Sequence, residues 1–231
     1  MEGPLAITDR DRCSACGACV SACPADARSI VGELWTADAL VNELAKDVLF
    51  FDQSGGGVTC SGGEPLLQSD FCAEILGLCR ERGVHTAVDT CGHAEEAILR
   101  QVAEEADLFL YDIKLMDDER HRRATGVSND PVLRNVERLN RWGKRIWIRV
   151  PIVPGVNDDE ENLIELAAFV RPLAAVEAVQ LLPYHRGGEE KWRGLGKEKR
   201  AVIEPDHVDR AVSRALRLLN ERLDVPVTRG G

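Results

Sequence analysis

Four cysteines lie close together near the start of the chain: Cys13, Cys16, Cys19 and Cys23. Pro24 follows the last of them, so the run reads C-x2-C-x2-C-x3-C-P. In a chain kept in a reducing compartment, clustered cysteines more often bind metal or carry out redox chemistry than form disulfides. The run is therefore a candidate metal centre.

The order of the spacings distinguishes two kinds of metal. The run C-x2-C-x2-C-x3-C-P is found in bacterial ferredoxins, where it wraps around a [4Fe–4S] cube. Structural zinc sites instead usually pair two separated C-x2-C knuckles. We predict an iron–sulfur cluster and keep zinc as the alternative. Because one such run is present, Cys23 either closes its own cluster or is a spare thiol.

A glycine-rich string, SGGGVTCSGGEP, covers residues 54–65. Within it, Gly62, Gly63 and Glu64 follow a predicted strand. Glycines let the backbone approach a ligand closely and expose N–H and C=O groups to its polar atoms. A tight turn alone would explain a bare GGE, so the specificity lies in the full twelve-residue string.

Alternating apolar patterns indicate which elements position these residues. Short apolar runs predict strands over 57–61, 84–89, 107–113, 145–150 and 176–183. Helical periods predict helices over 36–49, 68–82, 94–105, 130–142, 160–172 and 206–222. Strands that alternate with helices imply a parallel sheet wrapped by helices. We predict an α/β fold, a partial (β/α) barrel of about five βα units over 36–231, preceded by a ferredoxin-like segment over 1–35.

Five polar residues lie at or just past the ends of the predicted strands: Asp89, Asp112, Lys114, Arg149 and His185. The carboxyl ends of parallel barrel strands meet at one edge, where barrel enzymes place their chemistry. Each residue alone is explained by a helix cap or a turn. Together, the five predict one site at this edge.

Composition and net charge limit the kinds of partner that the chain is expected to bind. The 231 residues carry a net charge of −10, with no basic stripe to meet a phosphate backbone, so we expect no nucleic-acid partner. No apolar run reaches the roughly 18 residues of a membrane-spanning helix, so we expect no membrane partner. Residues 1–11 lack the apolar stretch of a signal peptide. We therefore predict a cytoplasmic location.

The glycine-rich string is followed in order by VDTCG at 88–92, LYDIK at 110–114, TGVSN at 125–129, VPGVND at 153–158 and LPYH at 182–185. This set resembles the glycyl-radical-enzyme activating enzymes of the pyruvate formate-lyase activase type, within the radical SAM superfamily. The resemblance covers about residues 13–200.

The resemblance implies a reaction. In this family a reduced [4Fe–4S] cluster donates an electron to S-adenosylmethionine. The resulting 5′-deoxyadenosyl radical removes a hydrogen atom from one glycine of a partner glycyl radical enzyme. Flavodoxin or ferredoxin is the implied electron donor, and an anaerobic setting is implied because oxygen destroys such clusters and radicals.

The resemblance also implies roles for individual residues. Gly62, Gly63 and Glu64 would hold the methionine amino group of the cosubstrate through backbone and neighbouring contacts. Lys114 would pair with its carboxylate. His185 would reach its ribose or adenine region.

Asp112 and Ile113 would lie beside the cosubstrate as well. Asp89 and Asp112 would frame a site for a small monovalent cation near the methionine group. Arg149 would point into the barrel toward the glycine loop of the partner, which makes it the candidate catalytic residue.

The chain departs from the family pattern at one motif, because it contains no C-x3-C-x2-C. In the family those three thiolates leave one iron open to S-adenosylmethionine. We therefore expect the first barrel strand and its loop to be absent, Met1 to fall within the ferredoxin insert, and the strand at 57–61 to have an exposed edge. Cys60 and Cys91, at strand ends near the rim, are explained first as small buried residues, although either could supply a missing fourth thiolate. The alternative function is a catalytically incomplete fragment, or an electron-transfer module with one ferredoxin-type cluster.

Overall fold

The computed structural model describes residues 8–185 and 205–230. The chain divides into two compact units, Met1–Thr36 and Ala37–Gly231. In the first unit, the described residues form a single short helix, α1 (Ala18–Ser21), which Gly17 precedes in a left-handed conformation. That this unit is ferredoxin-like stays a prediction.

The second unit begins with two helices and continues as an alternation of strands and helices. The strands are β1 (Gly57–Cys60), β2 (His85–Thr90), β3 (Leu108–Asp112), β4 (Arg145–Ile152), β5 (Val176–Pro183) and β6 (Val227–Arg229). The helices are α2 (Ala37–Leu44), α3 (Val48–Ser54), α4 (Ser69–Glu81), α5 (Glu96–Glu105), α6 (Asp118–Thr125), α7 (Asp130–Arg141), α8 (Glu160–Val170) and α9 (Pro205–Asn220). Short 3-10 turns cover Ala45–Asp47 and Pro65–Gln68. No helix within the described ranges is long and apolar enough to cross a bilayer.

The six strands form one sheet in the order β1-β2-β3-β4-β5-β6, and every neighbouring pair is parallel. This confirms the predicted α/β class and its five strands. The predicted helix over 36–49 is instead two helices joined by the 3-10 turn Ala45–Asp47. β6 and α6 were not predicted. β6 has three residues and α6 buries a single side chain, so neither produces an apolar period.

Side chains alternate across the sheet, and β4 shows the pattern most clearly. Ile146, Ile148 and Ile152 are fully buried and belong to the main core. Burial of such a side chain contributes about 1.5–3 kcal/mol. The alternate residues Trp147, Arg149 and Pro151 are half-buried on the opposite face. The apolar face therefore fixes the sheet, while the other face is free to carry polar groups.

The first strand lies at one edge of the sheet, where β2 is its neighbour among the described strands. Gly57 pairs with His85 across this junction. A Cβ atom at Gly57 would lie 2.0 Å from the carbonyl oxygen of His85, so the close approach of the two strands requires glycine.

Candidate active site

Polar side chains from the ends of four neighbouring strands meet at the carboxyl edge of the sheet. Asp112 on β3 is the register partner of Arg149 on β4, so the two side chains share the half-buried face. Asp89 on β2, Ser61 just after β1 and Lys114 just after β3 complete the group. We call these five residues the rim cluster.

The rim cluster contains two carboxylates and two cations in direct contact. Arg149 Nη1 lies 2.6 Å from Asp89 Oδ2, and Lys114 Nζ lies 3.1 Å from Asp112 Oδ2. Ser61 donates its hydroxyl hydrogen to Asp89 Oδ2 at 3.1 Å. The four charged side chains are between 21% and 35% exposed, so they are partly desolvated and still reachable from solvent. The opposite charges offset one another, which lets the group be half-buried.

The carboxyl of Asp112 is half-buried beside two cationic side chains. Burial raises the pKa of its carboxyl above the ordinary value, while Lys114 and Arg149 oppose the shift. Its Oδ1 atom is buried and has no hydrogen-bond partner among the described residues. Arg149 Nε is 3.9 Å from that oxygen, which is too long for a hydrogen bond. Asp112 therefore has a free acceptor position inside the cluster.

The glycine turn beside the cluster is open. Gly62 has φ of +123°, a conformation that favours glycine, and a Cβ atom at Gly62 or Gly63 would meet no atom within 4 Å. This open space beside the backbone fits a ligand that approaches the turn closely.

Glu64 anchors that turn to the neighbouring loop. Its Oε1 accepts hydrogen bonds from the Thr90 hydroxyl at 2.5 Å and the Leu66 N–H at 3.2 Å. Its Oε2 accepts from both the N–H and the thiol of Cys91, each at 3.0 Å. Both oxygens of the Glu64 carboxylate accept hydrogen bonds from within the protein. The groups of the GGE turn that remain for a ligand are therefore those of the backbone.

The loop after β2 is fixed by a close contact with a buried tyrosine. Gly92 has φ of +65°, and a Cβ atom there would lie 1.8 Å from the Tyr111 hydroxyl. That hydroxyl donates to the carbonyl oxygen of Val132 at 2.7 Å. Asn135, fully buried on α7, donates to the carbonyl oxygens of Gly92 and Ala94 at 2.7 and 2.8 Å. The loop that follows Asp89 is therefore rigidly placed.

The remaining predicted barrel residues lie at the same edge. His185 is exposed, two residues after the end of β5. Ile113 is buried, and its N–H donates to the carbonyl oxygen of Arg149 at 2.9 Å. Ile113 thus extends the pairing of β3 with β4, and its side chain belongs to the core.

The cysteine run has its own local chemistry. Cys13, Cys16 and Cys19 are exposed, and Cys23 is half-buried. A backbone hydrogen bond from Ala18, followed by the Ser14 hydroxyl, lowers the pKa of Cys16. Backbone N–H groups of Ala25 and Ala27 lower the pKa of Cys23. Such donors stabilise thiolates, the form that binds metal.

The number and type of these donors fit a [4Fe–4S] cluster, which is commonly held by four cysteine thiolates. Within residues 8–185 and 205–230, no three Cys, His, Asp or Glu side chains are gathered as a metal site. The structure therefore shows the thiols without assembling them around a common centre.

The other four cysteines belong to the barrel. Cys72 and Cys79 are buried in the core. Burial, followed by the hydrogen bond to Glu64, raises the pKa of Cys91 to about 11. Cys60 packs against the core, and a hydrogen bond from Cys72 lowers its pKa. A role for Cys60 or Cys91 as a fourth thiolate stays a prediction.

Sequence reasoning missed four buried asparagines, which are at most 3% exposed: Asn129, Asn135, Asn157 and Asn162. Asn129 and Asn157 occur in the TGVSN and VPGVND motifs, to which no role was assigned. An asparagine in such a motif, within a few residues of the start of a helix, is the signal that could have found these two.

Comparisons with known proteins are consistent with this geometry. Residues 12–167 match the family model described as the Radical SAM superfamily. The trans-4-hydroxy-L-proline dehydratase activating enzyme of Clostridioides difficile is 45% identical, over 83% of this chain and 74% of that protein. The pyruvate formate-lyase-activating enzyme of Staphylococcus aureus is 42% identical, over 83% of this chain and 79% of that protein.

A solved structure shows the same fold. A domain of a pyruvate-formate lyase-activating enzyme from Bacteroides vulgatus has a TM-score of 0.62 and 32% identity, covering 76% of this chain and 99% of that domain. The sheet, the rim and the family match together define a radical SAM protein. The chain belongs to the glycyl-radical-enzyme activating enzymes of that superfamily.

Proposed function

We propose that this chain activates a glycyl radical enzyme by reductive cleavage of S-adenosylmethionine. The observation that carries the proposal is the rim cluster beside an open glycine turn, in a chain 42–45% identical to activating enzymes. An electron-transfer module without catalysis is less favoured, because the similarity to those enzymes extends through the barrel and its rim.

Cys13, Cys16, Cys19 and Cys23 are the residues proposed to hold iron and sulfide. A cluster on this run could take S-adenosylmethionine only if one iron were left without a thiolate, with Cys23 as the spare thiol. Reduced, such a cluster would supply the electron that splits the S–C5′ bond into methionine and a 5′-deoxyadenosyl radical. The protein provides the thiolates and the N–H donors that stabilise their negative charge.

The rim residues bind and orient the cosubstrate. Lys114 presents its ammonium group to the carboxylate of the methionine part. Backbone groups of Gly62 and Gly63, held in place through the Glu64 side chain, receive the amino group. His185 contacts the ribose or adenine region. These contacts hold the cosubstrate in a defined orientation, which is the main contribution that a rigid site makes to such a reaction.

Asp89, Asp112 and Arg149 control charge at the inner side of the site. The unpartnered Oδ1 of Asp112 supports a monovalent cation, or the cosubstrate ammonium group, as its partner. Arg149 neutralises Asp89, and it is the residue proposed to meet the glycine loop of the partner enzyme. We include Ile113 as a backbone contributor beside Asp112.

An electron donor, a cellular location and a partner complete the proposed function. Flavodoxin or ferredoxin is the proposed electron donor, and the cytoplasm is the proposed location. The partner is a glycyl radical enzyme.

The test uses the full chain, reconstituted anaerobically with iron and sulfide and reduced. It is mixed with S-adenosylmethionine and, separately, with trans-4-hydroxy-L-proline dehydratase or pyruvate formate-lyase. We expect an electron paramagnetic resonance signal of a glycyl radical on at least one of the two, formed in step with 5′-deoxyadenosine. Formation of 5′-deoxyadenosine without a radical on either enzyme would leave the cleavage reaction standing and remove these partners.

A further inference from the structure

The loop after β3, residues 114–117, is held by side chains rather than by regular backbone pairing. Three buried asparagines from other parts of the chain contact its backbone. Asn129 lies just before α7, Asn157 follows β4, and Asn162 is in the first turn of α8. Their exposure is 3%, 2% and 3%. We call these three residues the asparagine clamp.

Asn157 contacts the loop at Lys114. Its Nδ2 donates to the carbonyl oxygen of Lys114 at 2.8 Å and to that of Pro151 at 2.7 Å. Its Oδ1 accepts from the N–H of Val153 at 2.8 Å. One side-chain amide thus ties Lys114, two residues after β3, to the end of β4.

The other two asparagines continue the same contact along the loop. Asn162 Oδ1 accepts from the Met116 N–H at 2.9 Å, and its Nδ2 donates to the carbonyl oxygen of Asn157 at 2.9 Å. Asn129 donates to the carbonyl oxygens of Leu115 and Met116 at 3.1 and 2.5 Å. The carbonyl oxygens of residues 114–116 therefore all accept from clamp amides.

The arrangement fixes the position of the Lys114 backbone. A buried carbonyl or N–H that loses its partner is strongly unfavourable, so the loop cannot shift without breaking several of these bonds. The Lys114 side chain is long and 35% exposed, and its position depends on the placement of its own backbone. Fixing the backbone limits the space that the ammonium group samples around Asp112.

We propose that Asn157 is a positioning residue that sets the affinity of this site for the carboxylate of S-adenosylmethionine, through Lys114. The inference rests on the proposed function, in which Lys114 pairs with that carboxylate. It predicts a selective loss: removal of the Asn157 amide weakens a ligand that carries the carboxylate and spares one that lacks it.

The matched control is Asn140, whose Oδ1 accepts from the Ala175 N–H at 2.9 Å. Ala175 precedes β5, so this bond lies at the opposite edge of the sheet from the rim. Asn140→Ala removes an asparagine hydrogen bond from the same sheet without touching the rim.

The experiment measures dissociation constants for S-adenosylmethionine and decarboxylated S-adenosylmethionine with the full, anaerobically reconstituted chain. We expect Asn157→Ala to weaken binding of S-adenosylmethionine by about tenfold and binding of the decarboxylated ligand by less than about twofold. Asn140→Ala should change neither. In the Lys114→Met background, Asn157→Ala should cause no further loss, because both changes remove the same interaction.

Equal weakening of both ligands by Asn157→Ala, or additive losses in the double variant, would overturn the inference and assign Asn157 a purely structural role. A wild-type chain that binds both ligands equally would instead refute the role proposed for Lys114. If Asn157→Ala does not fold, Asn129→Ser serves as the second variant, with the same selective loss expected.

A readout without ligand tests the clamp itself. Hydrogen exchange of the Met116 N–H, which donates to Asn162, should accelerate about tenfold in Asn157→Ala and not in Asn140→Ala. Unchanged exchange would mean that Asn157 does not hold this loop, whatever the binding data show.

Discussion

The cysteine run and the rim cluster carry two halves of the proposed chemistry, and they are constructed differently. Among the described residues of the first unit, 8–36, none is buried. In the run, the thiols of Cys16 and Cys23 accept hydrogen bonds from nearby backbone N–H groups. The rim cluster instead stands on a sheet whose core side chains are buried completely.

The difference shows how each region obtains its geometry. Long-range packing fixes the rim cluster, so its side chains are in place before any ligand binds. The cysteine run lacks a core, and metal binding must supply the free energy that assembles its thiolates. The two regions should therefore respond separately to metal removal and to substitution.

The largest expected effect would come from loss of one thiolate. Cys16→Ser should reduce bound iron and lower 5′-deoxyadenosine formation by about a hundredfold or more. The thermal midpoint of the barrel should stay the same, because Cys16 is exposed. Cys79→Ser is the matched control, because it places a hydroxyl in the core and should lower the midpoint while bound iron is kept. A barrel that unfolds with the iron in Cys16→Ser would end the separation of the two regions.

A steric change in the barrel should lower the free energy of unfolding. Gly92→Ala introduces a Cβ at 1.8 Å from the Tyr111 hydroxyl and forces alanine to φ of +65°, so we expect unfolding free energy to fall by about 3 kcal/mol. Gly83 has φ of +72°, but a Cβ atom there would meet no atom within 4 Å. For Gly83→Ala the expected loss of unfolding free energy is therefore about 1 kcal/mol. Denaturant unfolding measures both. Equal losses would show that the contact with Tyr111 carries no specific cost.

Thiol reactivity compares the cysteine run with Cys91, in the loop after β2. In the metal-free chain, Cys16 and Cys23 have lowered pKa values, whereas the pKa of Cys91 is raised to about 11. Near neutral pH we expect alkylation of Cys16 and Cys23 to be about tenfold faster than that of Cys91 or more, since the larger thiolate fraction outweighs its weaker nucleophilicity.

The pH dependence of alkylation adds a second criterion. The rate at Cys91 should keep rising toward pH 11, while the rates at Cys16 and Cys23 level off earlier. Mass spectrometry of labelled peptides measures all three. Equal rates and profiles would remove the electrostatic contrast between the cysteine run and Cys91.

The smallest expected effect concerns Asp112. Its raised pKa means that the ionised carboxyl costs stability above that pKa, and the cost disappears as pH falls through it toward the ordinary value of 3.8. Asp112→Asn should therefore raise the unfolding free energy at pH 7 by about 1 kcal/mol or less while weakening S-adenosylmethionine binding.

Asp118 provides a control of opposite sign. The Ser128 hydroxyl and Arg122 hold the pKa of Asp118 at about 2, so its ionised form contributes stability that is lost as pH falls through that value. Asp118→Asn should lower stability at pH 7. A loss of stability in Asp112→Asn would mean that the partners Lys114 and Arg149 outweigh the burial of that carboxyl.

Sequence reasoning located the strands of the sheet and brought Asp89, Asp112, Lys114 and Arg149 to one edge, because parallel strands end on the same side. It could not find the asparagine clamp, since a buried Asn gives no periodic signal and its partners are backbone groups distant in sequence. The pairing of Arg149 with Asp89 rather than with a ligand also depends on distances that only coordinates provide.

The most direct test of the account is formation of 5′-deoxyadenosine from S-adenosylmethionine by the full chain. The protein is reconstituted anaerobically with iron and sulfide, reduced, and compared with Cys13→Ala and Lys114→Met variants. The account predicts product from the wild-type chain, a near-complete loss in Cys13→Ala, and a loss in Lys114→Met that saturating cosubstrate partly restores. No product from a wild-type chain that holds its iron would contradict the proposed cleavage reaction.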